Sequence, residues 1–129
     1  MKVKTASKSG FTLVEIMIVV AIIGLLAAIA IPNFVRARAS SQANACINNL
    51  RQIDGATQQW ALENKAGPSA SVSFNLIKPY LKNAVTCPSG GSTATFATSY
   101  SISTVTNKPS CQIGANYTPA HVLPQDTSS

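Results

Sequence analysis

Two groups of residues in this chain could do chemistry. One is Glu15, the only charged side chain in a stretch from Phe11 to Ile31 where every other residue except Thr12 is apolar or small. The other comprises Cys46, Cys87, Cys111 and the single histidine, His121. A carboxylate in an apolar run of that length costs free energy and calls for a positively charged partner. Three cysteines are an odd number, which in an exported protein suggests one disulfide and one leftover thiol. The cysteines and His121 are widely spaced, with no C-x-x-C or H-x-x-x-H pair. That spacing points away from a zinc site, so no metal and no cofactor is expected. After Glu63 the only carboxylate is Asp126, and no nucleophile has an evident base, so catalysis is not expected either.

The element that must position Glu15 is an apolar helix. Phe11 to Ile31 would be about 32 Å long as a helix, enough to cross a bilayer core. Its thirteen Leu, Ile, Val and Phe residues each favour insertion by about 0.3–0.6 kcal/mol, against roughly 3 kcal/mol for one acid at mid-membrane. Insertion wins, and unpaired amides at a helix start favour a negative charge there. Lys2, Lys4 and Lys8 precede the run, where positive charge holds an N-terminus in the cytoplasm. Without these three, the net charge of +6 becomes seven basic against four acidic side chains. Those are scattered, so a nucleic-acid surface is not indicated.

A basic start and an apolar stretch also describe a cleaved signal peptide, and Ala28-Ile29-Ala30 offers a small-x-small cleavage pattern. Glu15 and the length of the run argue against it. A plain membrane anchor explains the length but leaves the acid without a use. The segment KSGFTLVEIMIVVAIIGLLAAIAIPNF resembles the N-terminus of type IV prepilins and of the pseudopilins of type II secretion. The shared features are a short basic leader ending in Gly10, then Phe11, then Glu15 as the fifth residue of the processed chain, with Pro32 closing the apolar run. The resemblance is close from about residue 8 to about residue 65 and weak beyond.

That resemblance implies cleavage between Gly10 and Phe11 on the cytoplasmic side by a membrane-embedded prepilin peptidase. N-methylation of the new Phe11 amine then follows. It implies residence in the bacterial inner membrane, delivery to an inner-membrane assembly platform, and self-association into a pilus or a periplasmic pseudopilus. Within one chain, the Phe11 ammonium lies four residues from Glu15 and could pair with it. The resemblance implies instead that Glu15 receives the Phe11 ammonium of a preceding subunit, fixing axial register in an apolar filament core. It also implies that helix is lost between Gly24 and Pro32 inside the filament, since glycine weakens a helix and proline removes a hydrogen bond.

Beyond Pro32, Ala43, Cys46, Leu50, Ile53, Thr57 and Trp60 recur at spacings of three and four, with Ile47 beside them, making one apolar helical stripe. The helix is expected to run to about Lys65, where GPSA ends it. From residue 71 onward, SFNLIKPYLK reads as a helical turn around Pro79. ATFATSYSISTV alternates like a strand, and TNKP makes a turn before SCQIG, so a hairpin is expected. Cys87 and Cys111 flank it; a bridge between them would close a loop of about 25 residues and contribute roughly 3 kcal/mol. The C-terminal disulfide loop of many pilins supports that pairing, while pairing of Cys46 with either remains open.

The expected fold is therefore α+β, a long N-terminal helix over about residues 11–65 packed against a small antiparallel sheet. The expected parts are a leader (1–10), a transmembrane and assembly helix (11–31), an amphipathic helix (32–65) and a disulfide-stabilised β-rich head (66–129). The function implied is that of a type IV pilus subunit. The alternatives are a secretion or competence pseudopilin, or a membrane-tethered minor pilin or binding protein that does not polymerise.

Overall fold

The computed structural model describes residues 2–3 and 9–124. Lys4 and Lys8 of the basic leader, and Asp126, lie outside the described residues. Contacts divide the chain into two units, Met1–Arg36 and Ala37–Ser129. Helix α1, Leu13–Glu63, is 51 residues long and contributes to both.

In the first unit α1 is apolar on every face, and large side chains such as Val14, Ile18, Ile22, Leu25 and Ile29 are all exposed. Its length and composition are sufficient to cross a membrane. Gly24 and Pro32 both lie inside an unbroken helix. Pro32 has no N–H to give the carbonyl of Ala28, so that turn is one hydrogen bond short while neighbouring turns continue the helix. The loss of helix implied by the prepilin resemblance concerns the assembled filament, not this single chain.

In the second unit the same helix becomes one-sided. Ala43, Cys46, Leu50, Ile53, Ala56, Thr57 and Ala61 are buried, at the three- and four-residue spacing that lines one helical face. The expected stripe is therefore present, with one exchange. Trp60 is only half-buried, and the small side chains of Ala56 and Ala61 take the deep positions beside it. A side chain as large as tryptophan is rarely enclosed completely, and alanines allow the head to approach the helix closely. Thr57 keeps its buried hydroxyl satisfied by donating to the Ile53 carbonyl at 2.9 Å.

The helix ends two residues earlier than expected, through a backbone motif rather than through glycine. The Ala66 N–H donates to the Ala61 carbonyl at 2.9 Å and the Lys65 N–H to Leu62 at 3.4 Å. Lys65 adopts the left-handed conformation, φ 51°. These are the paired bonds of a Schellman cap.

The rest of the head is made of very short elements: α2 (Phe74–Ile77), a 3₁₀ turn (Lys78–Tyr80), 3₁₀ turns over Pro88–Thr93, α3 (Phe96–Ser99), β1 (Tyr100–Ser101) and β2 (Ser110–Cys111). The helical turn expected around Pro79 is present. The strands β1 and β2 form the expected antiparallel hairpin, with Tyr100 opposite Cys111 and Ser101 opposite Ser110. The α+β class holds, but the head is far less β-rich than expected. Residues 96–99, which alternate like a strand, form a helical turn instead. The Thr95 side chain accepts from the Thr98 N–H, and the Thr98 side chain accepts from the Thr95 N–H. This local exchange offers the backbone an alternative to a sheet ladder.

Core packing joins these pieces to α1. Leu50, Ile53 and Ile77 are fully buried, and Phe74 stacks on Phe96 with ring centroids 4.0 Å apart. Two backbone bonds, Val72 N–H to Ser103 at 2.9 Å and Val105 N–H to Ala70 at 3.2 Å, tie the segment after α1 to the hairpin region.

A left-handed lysine is strained by its Cβ, whereas glycine is not. Lys65→Gly is expected to stabilise the head by about 0.5–1 kcal/mol. Urea unfolding of the detergent-solubilised chain checks this; an unchanged or lower midpoint would contradict the strain argument.

Candidate functional site

The first candidate site is the junction ahead of α1. Ser9, Gly10, Phe11 and Thr12 are exposed and belong to no regular element. Phe11 is 88% exposed, and a side chain placed on Gly10 would meet nothing within 4 Å. The Gly10–Phe11 bond thus lies in an open strip of chain of the kind a protease cleft can take. Immediately after it, Thr12 and Glu15 cap the helix reciprocally. The Glu15 N–H donates to Thr12 Oγ1 at 3.2 Å. The Thr12 N–H and hydroxyl both donate to Glu15 Oε2, at 2.7 and 3.0 Å.

This is a capping box, T-x-x-E. The pattern is spelled by Thr12-Leu13-Val14-Glu15, and it gives Glu15 a side-chain partner in addition to the helix-start amides and the ammonium expected from its charge. The Phe11 nitrogen is a peptide amide in this chain and carries no charge. Thr12 holds the Glu15 carboxylate and so lowers the cost of carrying it.

The second candidate site lies in the head. Among the described residues Cys46, Cys87 and Cys111 are all buried and unbridged. More than the expected Cys87–Cys111 pair converges. The three sulfurs and one ring nitrogen of His121 all lie within 4.8 Å of one another. Cys46 comes from the buried face of α1, Cys87 from the residue before a 3₁₀ turn, Cys111 from β2, and His121 from the chain beyond it. The residues are 0%, 1%, 2% and 2% exposed in that order, so all four are shut away from water.

Each group is held by its surroundings. Cys87 Sγ is 3.6 Å from His121 Nδ1. The Gly114 N–H donates to Cys111 Sγ at 3.1 Å, and the Gly114 carbonyl accepts from the His121 N–H at 3.0 Å. The imidazole stacks on Tyr117. A Cβ on Gly114 would overlap the His121 ring, so only glycine lets this turn and the imidazole share the space. Burial lowers the His121 pKa below its ordinary value and favours the neutral ring. Burial also raises the Cys46 and Cys87 thiols, while the Ser89 backbone amide acts in the opposite direction on Cys87.

Residues 5–31 match the family model described as the prokaryotic N-terminal methylation motif. The chain is 59% identical over 44 residues to the type IV major pilin protein PilA of Myxococcus xanthus, covering 34% of this chain and 20% of that protein. It is 42% identical over 67 residues to the type IV major fimbrial protein FimA of Dichelobacter nodosus, covering 52% and 43%. It is 32% identical over 88 residues to the type II secretion system core protein G of Klebsiella pneumoniae, covering 64% and 61%. Its N-terminal part thus carries the motif of the type IV prepilin and pseudopilin family, and the curated relatives are pilins and a pseudopilin. The chain spans less than two thirds of the length of each of these relatives. No solved structure matches it.

Prepilin-family proteins are generally structural rather than enzymatic. The methylation motif covers the first site, and the apolar first half of α1 fits membrane anchoring. The second site lies entirely outside the matched motif.

Gly114→Ala is expected to force His121 out of its place and to destabilise the head by about 1–3 kcal/mol, the usual range for overpacking. Denaturant unfolding with thiol labelling checks it, with Cys111 becoming reactive in the variant. An unaltered midpoint and protected thiols would show that the imidazole can shift without consequence.

Proposed function

We propose that this chain is the structural subunit of a type IV pilus. A prepilin peptidase removes residues 1–10 on the cytoplasmic face of the inner membrane, the new Phe11 amine is methylated, and residues 11–31 hold the protein in the bilayer until an assembly platform feeds it into a filament. The chain itself performs no catalysis. The observation that carries this reading is the first half of α1. It exposes large apolar side chains all round, behind a single carboxylate at its capped start. A helix apolar on every face is stable only in lipid or among other apolar helices, and a filament core supplies the second environment after the membrane supplies the first.

The charge logic follows from cleavage. The freed Phe11 amine, with an ordinary pKa of about 8, is largely cationic at neutral pH, and methylation keeps the charge. Thr12 already satisfies Glu15 inside its own chain, yet a hydroxyl and an amide do not neutralise a carboxylate. In a filament core the ammonium of a preceding subunit would neutralise it, and a subunit out of register would leave a buried charge unpaired. Gly24 and Pro32, the weak points of the helix, are where the assembled rod would loosen.

A pseudopilus subunit is the second reading. The match to the secretion core protein G runs through 88 residues at 32% identity, as far as a match to another FimA of Dichelobacter nodosus at 38%, so similarity extends beyond the N-terminal helix toward both kinds of protein. Against it, the resemblance implies acidic side chains that hold calcium in the heads of major pseudopilins, and beyond Glu63 this chain has only Asp126.

Glu15→Ala is expected to be inserted and processed normally but to yield far less sheared surface filament. The wild-type filament subunit should begin at a methylated Phe11 by mass spectrometry. Normal filament from the variant would overturn the register argument, and an N-terminus at Ile31 would overturn the prepilin reading altogether.

A further inference from the structure

We propose that Cys46, Cys87, Cys111 and His121 form a structural zinc site, three thiolates and one imidazole, that fastens the hairpin and the chain beyond it to α1. This inference concerns only the unit Ala37–Ser129 and does not depend on whether the protein polymerises.

The geometry is close to what the ion needs. Because no two of the four ligand atoms are more than 4.8 Å apart, some point lies within about 2.9 Å of all of them, against Zn–S near ~2.3 Å and Zn–N near ~2.0 Å. Those bond lengths in a tetrahedron place sulfur and nitrogen about 3.5 Å apart; Cys87 Sγ and His121 Nδ1 are 3.6 Å apart. At that bound, a contraction of about 0.6 Å for each sulfur and about 0.9 Å for the nitrogen completes the site. Four protein ligands with no opening to water describe a structural zinc rather than a catalytic one. Soft sulfur ligands and an imidazole exclude calcium and magnesium.

The surroundings are those of metal-bound thiolates. Ligating sulfurs need outer donors, and here each has one. Gly114 gives its N–H to Cys111 at 3.1 Å. The Ser89 amide faces Cys87. Tyr100 Oη lies 3.6 Å from Cys46 Sγ. The Tyr100 oxygen accepts from Asn49 Nδ2 at 3.1 Å, leaving its own proton free to point at the sulfur. The Asn49 amide also donates to the Thr86 carbonyl at 2.9 Å, which places the residue before Cys87 against α1.

Cysteine parity makes the same point independently. A disulfide would use two of three buried thiols and strand the third beside a buried imidazole. One metal ion uses all four groups. Binding is a simple proton exchange: three S–H bonds break, three S–Zn bonds form, the neutral imidazole adds its lone pair, and three protons leave to solvent. No electron moves, so no oxidant is required. The head also has reason to need such a tie, since strands of two residues and helices of four cannot hold themselves together.

The test uses the full chain in detergent micelles, purified without chelator and alkylated at lysis. Elemental analysis should find one zinc per chain. The three thiols should resist labelling until a chelator and denaturant are added together, and chelation should lower Tm by about 15 °C or more. Replacing zinc with Co²⁺ should produce thiolate-to-metal charge-transfer bands and tetrahedral d–d bands. Tyr100→Phe, which removes an outer donor and no ligand, should weaken binding about 10–100-fold. His121→Ala should lose the metal, and His121→Cys, paired with it as the control for misfolding, should retain zinc. A chain two hydrogens lighter, with a disulfide among these cysteines and no metal, would overturn the proposal. So would three free thiols that take up neither Zn²⁺ nor Co²⁺. Filament yield enters none of these readings, so failure here leaves the pilus reading standing, and the reverse.

Discussion

The face of α1 that carries Cys46, Leu50, Ile53 and Ala56 is the surface on which everything after Lys65 is assembled. None of the later elements could persist without it. A four-residue helix is far below the length at which a helix holds itself, and a pair of two-residue strands is less than an isolated hairpin, itself marginal. Burial against that face supplies what propensity cannot, because Leu50, Ile53 and Ile77 exclude water completely while loop-to-loop backbone bonds satisfy the polar groups trapped with them. The head is best understood as one cooperative layer of chain laid on a helix rather than as a sheet domain beside one.

The same helix solves a different problem before Arg36. There it has no face, because the apolar side chains point in every direction and none is covered by its own chain. Its polar obligations collect at the start. Thr12 and Glu15 close the first turn on each other, which converts a costly acid into a helix cap without neutralising it. On the proposed pilus reading, a charge that is hydrogen-bonded yet not balanced would suit a chain that sits in lipid first and meets a cationic partner afterwards. The cap and the proposed ion pair would be compatible, since a carboxylate has lone pairs for both.

How much was legible varies by element, for identifiable reasons. The membrane-length run, the stripe through Ala43, Cys46, Leu50 and Ile53, and the end of the helix near Lys65 follow from local periodicity, which chain neighbours determine. Trp60 and Ala61 exchange depth because side-chain volume against a thin head, not spacing, decides which is enclosed. Residues 96–99 alternate like a strand and turn into helix because Thr95 and Thr98 satisfy each other locally. The capping box at Thr12 was present in the sequence and is overlooked when Glu15 is weighed only as a charge.

The sequence by itself determined the N-terminal methylation motif, the apolar rod and the buried stripe, since each is written in contiguous residues whose spacing is their physics. What only the tertiary structure decided is the meeting of Cys46, Cys87, Cys111 and His121. Their separations along the chain carry no ligand pattern, and a pair of them reads as readily as a disulfide. A helix face, a turn, a strand and a later loop must first pack around the same small core. Only then do three sulfurs and a ring nitrogen come within 4.8 Å of one another, because the position of a long-range contact is a property of the packed whole and not of any segment in it.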